Sequence, residues 1–320
     1  MGLKKLFTAQ AAIKWGIPLI ILILVGVFPV FHSTYYQTLI TFALMYMTLS
    51  VAWTIFSGTT GYISLASAAF YGIGIYASAL FGEKMPFFLV ILIGGAASFI
   101  FAFIIGAITL RLRGIFFSMF TFGLVLLAYQ VLIWYELTIK NIRGYFVVIQ
   151  SDNAIFYYLL GLFIITIIVS YVLKRSKYGL ALSSIGENEN ASEHIGVNVT
   201  LVKILTFSLS AVFMGAAGAI MATKLSYIDP NIAFDPMISF SPALMATFGG
   251  MGNIYGPVIG SVIFYFIQDR LQTGPLQNYY KLIFGAVLVG TIMYMPSGIV
   301  GLIQKLQKRI SGAKSAPITG

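Results

Sequence analysis

The sequence predicts an all-α, polytopic integral membrane protein, and three observations carry that prediction. Hydrophobic residues make up 59% of the 320 positions and charged residues only 9%, where an ordinary soluble domain carries roughly 25% charged residues. Mean hydropathy is +0.94. The apolar residues also come in continuous runs of about 16–24, close to the length that carries a helix across a ~30 Å hydrocarbon core. A transmembrane barrel would instead show alternating segments of about ten residues, whereas helices satisfy their own backbone polar groups in lipid. A soluble cytosolic enzyme is excluded. Cysteine is absent, which excludes a disulfide framework, Cys-ligated zinc and a thiol nucleophile. The net charge of +10 invites a nucleic-acid reading, but basic cytoplasmic loops account for it. The partner expected on composition is membrane lipid, with no nucleic acid.

Taken in order, the apolar runs are Gly16–Phe31, Tyr35–Phe56, Tyr62–Phe81, Phe87–Leu110, Ile115–Trp134, Ala154–Leu173, Ile204–Thr223 and Tyr279–Met295. Between the last two lies Met237–Gln268, interrupted by Gly249–Pro257 (GGMGNIYGP). That stretch reads as two short half-helices that enter and leave, or as two further spans. The expected architecture is eight full transmembrane helices plus a broken or re-entrant pair, eight to ten spans in all, in one domain over residues 1–310. Before the first run, Leu3, Leu6 and Phe7 flank Lys4 and Lys5. No small-residue cleavage site follows Val30, which favours an uncleaved first span over a signal peptide. After the last run, Ile299, Leu302, Ile303, Leu306 and Ile310 recur at helical spacing among Lys305, Lys308 and Arg309. They read as an interfacial helix or as the end of the last span, and residues 311–320 read as a disordered tail.

Orientation follows from the positive-inside rule. With the N-terminus inside, the inner segments hold Lys4, Lys5, Lys14, Arg111, Arg113, Lys174, Arg175, Lys177, Lys203, Lys305, Lys308, Arg309 and Lys314, 13 of the 19 basic residues. The outer side keeps Lys84, Lys140, Arg143, Lys224, Arg270 and Lys281. This bias places both termini in the cytoplasm, with the polar segment 174–203 beside them.

That polar segment is the strongest compositional break in the chain. Of nine carboxylates, Glu187, Glu189 and Glu193 fall within seven consecutive positions of it. Ser184-Ile185-Gly186-Glu187 matches a capping box, Glu187 and Glu189 suit a helix N-terminus, and His194 suits its last turn. Gly196 supplies a left-handed stop. A short helix is therefore expected over Ser184–Ile195, with Ala191 and Ile195 as its apolar face. A free helix this short is marginal in water and needs a surface to pack on; the alternative is a solvated loop helix with no partner. Thr200 is expected to cap the next span.

Two glycine-rich breaks form the second feature. One carries Gly58, Gly61, Ser64, Ser67, Gly72 and Gly74, the other Gly249, Gly250, Gly252, Asn253 and Gly256. Each follows an apolar run and precedes a helix rich in small residues, and both run in the same direction, a weak internal repeat. Small residues let helices approach closely, and interrupted helices at membrane depth also line substrate paths. Both readings, packing and translocation path or gate, stand at this point.

Absences narrow the mechanism. No G-x-x-x-x-G-K-[ST] run is present, so the chain has no P-loop of its own. His32 and His194 fall on opposite faces, and no metal or other cofactor is expected. Glu83, Glu136, Asp152, Asp229, Asp235 and Asp269 all fall near outer edges, which counts against an ion-coupled secondary transporter and against an intramembrane enzyme. A pore or permease remains, whose energy, if any, comes from a docked partner.

The motifs resemble those of the LivM-type permease subunits of branched-chain amino acid ABC importers, a family of inner-membrane components of binding-protein-dependent transport. The resemblance runs through Gly58–Gly74 (GTTGYISLASAAFYGIG), Lys177–Leu182 (KYGLAL), Ile185–Val199 (IGENENASEHIGVNV) and Lys203. It continues through Ser210-Ala211, Gly215–Ala219 (GAAGA), Gly249–Gly260 (GGMGNIYGPVIG) and Met295–Gly301 (MPSGIVG), covering residues 35–305 in order. It implies a multi-pass cell-membrane subunit of a bacterium or archaeon. That subunit pairs with a second permease, two cytoplasmic P-loop ATPases and an extracytoplasmic substrate-binding protein. It further implies that Ser184–Gly196, with Ser184, Glu187, Glu189, Ala191, Glu193, Ile195 and Gly196, is a coupling helix seated on the ATPase. Ala66, Gly186 and Ser297 depart from the family's usual Gly, Arg and Arg. Leu137–Gly144 (LTIKNIRG) stands where a T-G-G-x-x-G stretch is common. Related permeases carry urea, amides, nucleosides or simple sugars, and these stay open beside the amino acid.

Overall fold

The computed structural model describes residue 26, residues 34–275, residues 277–294 and residue 298. The first span expected at Gly16–Phe31 lies outside them apart from Gly26. So do the segment expected to be interfacial, the tail 311–320, and most of the motif at 295–301.

The helices run in the order α1 Thr34–Thr60, α2 Ser67–Phe81, α3 Phe87–Thr109, α4 Ile115–Trp134, α5 Asp152–Arg175, α6 Lys177–Glu187 and α7 Glu189–His194. They continue with α8 Val199–Ala222, α9 Pro230–Ala233, α10 Pro236–Gly249, α11 Tyr255–Thr273 and α12 Tyr280–Tyr294. A π-helical turn, Tyr135–Lys140, extends α4. The one departure from an all-α fold among the described residues is an antiparallel ribbon of two residues per strand. In it Tyr145 of β1 (Tyr145–Phe146) faces Ile228 of β2 (Tyr227–Ile228). Five helices, α1, α3, α4 with its π turn, α5 and α8, are long and apolar enough to cross a membrane. The stretch Met237–Gln268 falls in two helices, α10 and α11, joined by residues 250–254.

Burial sorts the spans into two groups. In α1 and α8, 78% and 83% of the most apolar stretch is buried, against 33%, 22% and 33% in α3, α4 and α5. The outer helices turn Ile104, Phe116, Leu127 and Ile168 outward, a surface that is stable against hydrocarbon and not against water. At the centre, small residues replace large ones. Gly215 and Gly218 of α8 lie so close to α2 and α3 that a Cβ on Gly215 would fall 2.6 Å from the Gly94 carbonyl oxygen, and one on Gly218 would strike Tyr71. Two serines fasten this contact: Ser98 donates to the Phe70 carbonyl at 3.0 Å and Ser78 to the Ala219 carbonyl at 2.6 Å. Backbone-to-backbone approach of this kind maximises van der Waals contact where no hydrophobic effect drives helices together.

The ends of α1, 27 residues long and so roughly 40 Å apart at 1.5 Å per residue, have different company. Near Thr34, Gln37 donates to Asn153 at 2.7 Å, and Lys224 bridges Thr38 and Asp152. Near Thr60 lie α6 and the loop between α10 and α11. The polar segment and the helix ends and turn that carry Asp152, Asp269 and Lys224 therefore occupy opposite ends of the bundle, the separation that charge counting expects.

The polar segment itself corrects the sequence reading. It is two helices rather than one, broken at Asn188, which is extended (φ −157°, ψ 108°). Ser184 lies inside α6 and caps nothing. The caps are Ser176, whose Oγ accepts from the Gly179 amide, and Asn188, whose Oδ1 accepts from the Ala191 amide. The reason is tertiary. Leu182 and Ile185 of α6 bury against Val199 and Val202 of α8, and that apolar contact recruits residues 177–183 into helix ahead of the local capping signal. Asn198, not Thr200, caps α8. Gly196 does take the left-handed turn (φ +88°).

Candidate functional site: a docked polar hairpin and two helix breaks

Three contacts brace the hairpin of α6 and α7, two to the bundle and one within the hairpin. Gly186 lies directly on the last turn of α1, where a Cβ would collide with the Thr59 carbonyl oxygen. The residue that departs from the family's usual arginine is thus one whose missing side chain lets α6 close onto α1. Ser184 Oγ and Ser192 Oγ, 2.7 Å apart, join the two helices.

The third clamp is ionic. Glu189 Oε1 accepts from Lys203 Nζ at 2.7 Å and Glu189 Oε2 accepts from the Tyr62 hydroxyl at 2.6 Å. Lys203 is 2% exposed, donates also to the Leu110 carbonyl at 3.4 Å, and lies 4.6 Å from the centroid of the Tyr62 ring. Burial works to raise the Glu189 carboxyl, but the hydrogen bonds from Lys203 and Tyr62 and the charges of Lys203 and Arg113 outweigh it. They hold the group below its ordinary value. One carboxylate thereby links α7, the start of α8, the end of α3 and the first glycine break. Sequence reasoning placed Glu189 among the docking residues and counted Lys203 among the basic residues of the inner segments; the structure turns both inward. Glu187, Ala191, Glu193 and Ile195 stay exposed, and Ile195 presents 74% of its surface.

The first break is residues 61–66, a non-helical strip between α1 and α2. Helix interruption frees backbone groups that must find partners, and here side chains supply them. Trp53 Nε1 donates to the Ser64 carbonyl at 2.8 Å and Ser118 Oγ to the Ile63 carbonyl at 2.7 Å. The Leu65 amide donates to Thr121 Oγ1 at 3.1 Å and the Ser64 amide to Ser57 Oγ at 3.2 Å. Gly61 takes a positive φ of 74°. Gly72 and Gly74 are spacers: a Cβ on Gly72 would fall 2.6 Å from the Phe234 ring, and one on Gly74 would strike the Gly215 carbonyl. Ser67 is buried with no partner for its hydroxyl.

In the second break, Gly250 has a φ of 105°, and Gly249 and Gly256 press backbone to backbone where α10 meets α11. Gly252 is open, and its carbonyl accepts from Lys174 Nζ at 2.5 Å. Asn253 lines a crevice of about 30 Å³ with Thr54, Thr59, Ser170 and Lys174. Gly58 lies 3.7 Å from Met251, measured from where its Cβ would be. The two breaks therefore meet each other and the root of the hairpin at one end of α1, a convergence that sequence spacing alone does not show.

Glu136 was also missed. It falls near an edge along the chain yet is 1% exposed, accepting from the Tyr76 hydroxyl at 2.7 Å and the Gly144 amide at 2.9 Å. Among the described residues no group of three or more His, Asp or Glu side chains could hold a metal; His32 lies outside them.

Comparison with known proteins fits this geometry. The high-affinity branched-chain amino acid transport system permease protein LivM of Salmonella typhimurium is 24% identical over 306 residues, covering 85% of this chain and 71% of that protein. LivM of Escherichia coli is 23% identical, covering 92% and 76%. The ribose import permease protein RbsC of Haemophilus influenzae is 28% identical over 156 residues, covering 43% and 48%. No solved structure matches the chain. The model of the family described as branched-chain amino acid transport system, permease component, matches residues 35–292. The chain is a multi-pass membrane protein that belongs to that permease family.

Proposed function

We propose that the chain is the membrane-spanning permease subunit of an ATP-driven importer. It works with a second permease, two cytoplasmic P-loop ATPases and an extracytoplasmic binding protein, and it carries branched-chain amino acids or a related small polar solute. The observation that supports this best is the hairpin of α6 and α7. It is fixed to α1, α3 and α8 by Gly186, Glu189 and Lys203, yet leaves Glu187, Ala191, Glu193 and Ile195 turned outward. A rigid element with a free mixed apolar and acidic face suits a groove on another protein. Energy enters the membrane domain there, and the helix breaks at 58–74 and 249–256, which touch the hairpin's root, gate the path.

The sugar reading within the same family draws on the resemblance of part of the chain to ribose import permeases. Copurification from native membranes tests the assignment directly: two P-loop ATPases accompany the chain. Ile195→Asp tests the docking face. Ile195 contributes almost no packing to its own chain, so the variant inserts and unfolds like the parent but loses solute-stimulated ATP hydrolysis and uptake. Full uptake by Ile195→Asp sinks the docking assignment.

A further inference from the structure

At the end of the bundle remote from the hairpin, a cavity of about 270 Å³ opens between the first turns of α1 and the last turns of α11. Its wall is aromatic: Tyr35, Phe42, Tyr46 and Tyr265 line it, with the Phe42 and Tyr265 rings stacked at 6.4 Å and Tyr46 tilted on Tyr265 at 5.6 Å. Its polar edge is Gln268 and Asp269. Gln268 is 7% exposed, and its Oε1 has no hydrogen-bond partner. A buried acceptor left unmet is costly, so native structures meet it with protein, water or ligand. Asp269 accepts one long bond from the Tyr35 hydroxyl at 3.4 Å, and no cation among the described residues pairs with it.

The unmet polar groups continue inward. Tyr46 is in side-chain hydrogen-bond contact with Gln268 and Ser241, and the hydroxyl of Ser50, one turn beyond Tyr46 on α1, is buried without a partner. A polar track of Gln268, Tyr46 and Ser241, with Gln268 Oε1 and the Ser50 hydroxyl left unmet, thus leads from the cavity into the contact of α1, α10 and α11.

We infer that this cavity is a solute-docking site on the chain's own transport route, an inference that rests on the permease reading. It takes a small solute that presents N–H or O–H donors, an ammonium group or a polyol edge, to Gln268 and Asp269. The same solute lays a compact apolar or ring face on Tyr46 and Tyr265. Anions without donors are disfavoured by Asp269.

The absence of cysteine makes a clean test available. Gln272→Cys places a single thiol on the cavity wall, and its modification rate by a small thiol reagent is measured in the reconstituted importer complex with L-leucine or with D-ribose. The solute that docks slows modification at least fivefold; leucine alone identifies the ammonium arm, ribose alone the polyol arm. Gln268→Leu, which removes the unmet acceptor together with its contact to Tyr46, raises the solute concentration for half-maximal uptake tenfold or more while the assembled complex and its basal ATP hydrolysis are unchanged, an outcome no purely structural role for Gln268 gives. If the parent shows ATP-dependent uptake while neither solute protects Gln272→Cys, or if Gln268→Leu transports normally, the site is refuted and the permease reading stands. If no ATPase accompanies the chain and no uptake occurs, both fall together.

Discussion

The Glu189–Lys203 pair offers the sharpest quantitative test of how the hairpin is held. Glu189→Gln leaves the Lys203 ammonium 2% exposed with only the Leu110 carbonyl and the Tyr62 ring for company. Stripping one partner from a buried ion pair costs about 3–5 kcal/mol. Here the loss falls toward the lower end, about 3 kcal/mol, because the Glu189 side chain is itself 17% exposed and the amide retains a dipole toward the ammonium. Lys203→Met costs less, about 1–2 kcal/mol, since Glu189 keeps the Tyr62 hydroxyl and reaches water. The double variant leaves no buried charge and costs about 1 kcal/mol, so the coupling energy is about 3–4 kcal/mol, at or just above the upper end for contacting residues. In a chain of this size Glu189→Gln lowers the melting temperature by about 4–8 °C, and adding Lys203→Met restores most of it. Thermal unfolding in lipid nanodiscs reads the series. Glu189 carries its carboxyl below the ordinary 4.5, so its stabilisation is fully present above that value and is lost as pH falls through the lower folded value. The parent's advantage over the double variant therefore disappears only in acid, below about pH 4.5. Strict additivity of the two single variants would show that the ion pair does not hold the hairpin.

Two further substitutions probe the bundle. Gly74→Ala drives a methyl into the Gly215 carbonyl of the most buried span; it is expected to cost at least 1–3 kcal/mol, as overpacking does, and to reduce the monodisperse fraction in size-exclusion chromatography. Glu136→Ala strips the Tyr76 hydroxyl and the Gly144 amide of their acceptor, at about 1–3 kcal/mol for the unmet groups. Its expected signature is faster amide exchange at Gly144 and along the Tyr145–Phe146 ribbon, with the hairpin of α6 and α7 unaffected.

The spans were legible because lipid imposes a one-dimensional rule: Phe87–Thr109 and Ile115–Trp134 appear within a residue of where the apolar runs place them. The polar segment was equally visible, since acids are scarce elsewhere. Its internal division was not. Ser184 and Glu187 satisfy a local capping pattern, but Leu182 and Ile185 answer to Val199 and Val202 on the following span, and that contact decides where the helix starts. The glycines show the same limit. Gly72 and Gly74 announce close approach, yet whether to a solute or to another helix depends on Phe234 and Gly215, more than a hundred positions away. Lys203 reads as a loop cation because a membrane flank is where lysines collect; only the fold brings Glu189 back over it. Glu136 was placed at an edge by counting residues, and the π turn and the Gly144 loop then fold over it.

The distribution of close contacts constrains how the hairpin could act on the cavity. Gly186 rests on the Thr59 carbonyl at one end of α1, and Tyr46 forms part of the cavity wall roughly 20 Å away along the same helix. Because α1 is buried along most of its length, bending it locally would open voids that a close-packed interior resists; a push at Thr59 moves it as a rod. The glycine contacts that lock α2 and α3 to α8 leave those helices no room to follow, since any approach is a backbone clash. The contact of α1 with α11 is different in kind near the cavity: there it carries the Phe42, Tyr46 and Tyr265 rings and two long bonds, Tyr35 to Asp269 and Ser261 to the Tyr46 carbonyl, each at 3.4 Å. Rings can slide where backbones cannot. If the hairpin transmits force, the yielding surface is the seam of α1 and α11, and an ATP-driven displacement would widen or close the Tyr46–Tyr265 gap while Gly74 and Gly215 stay in register. Distance measurements by paired spin labels across each contact distinguish the two, and equal movement at both would overturn this division of the bundle into a rigid and a yielding half.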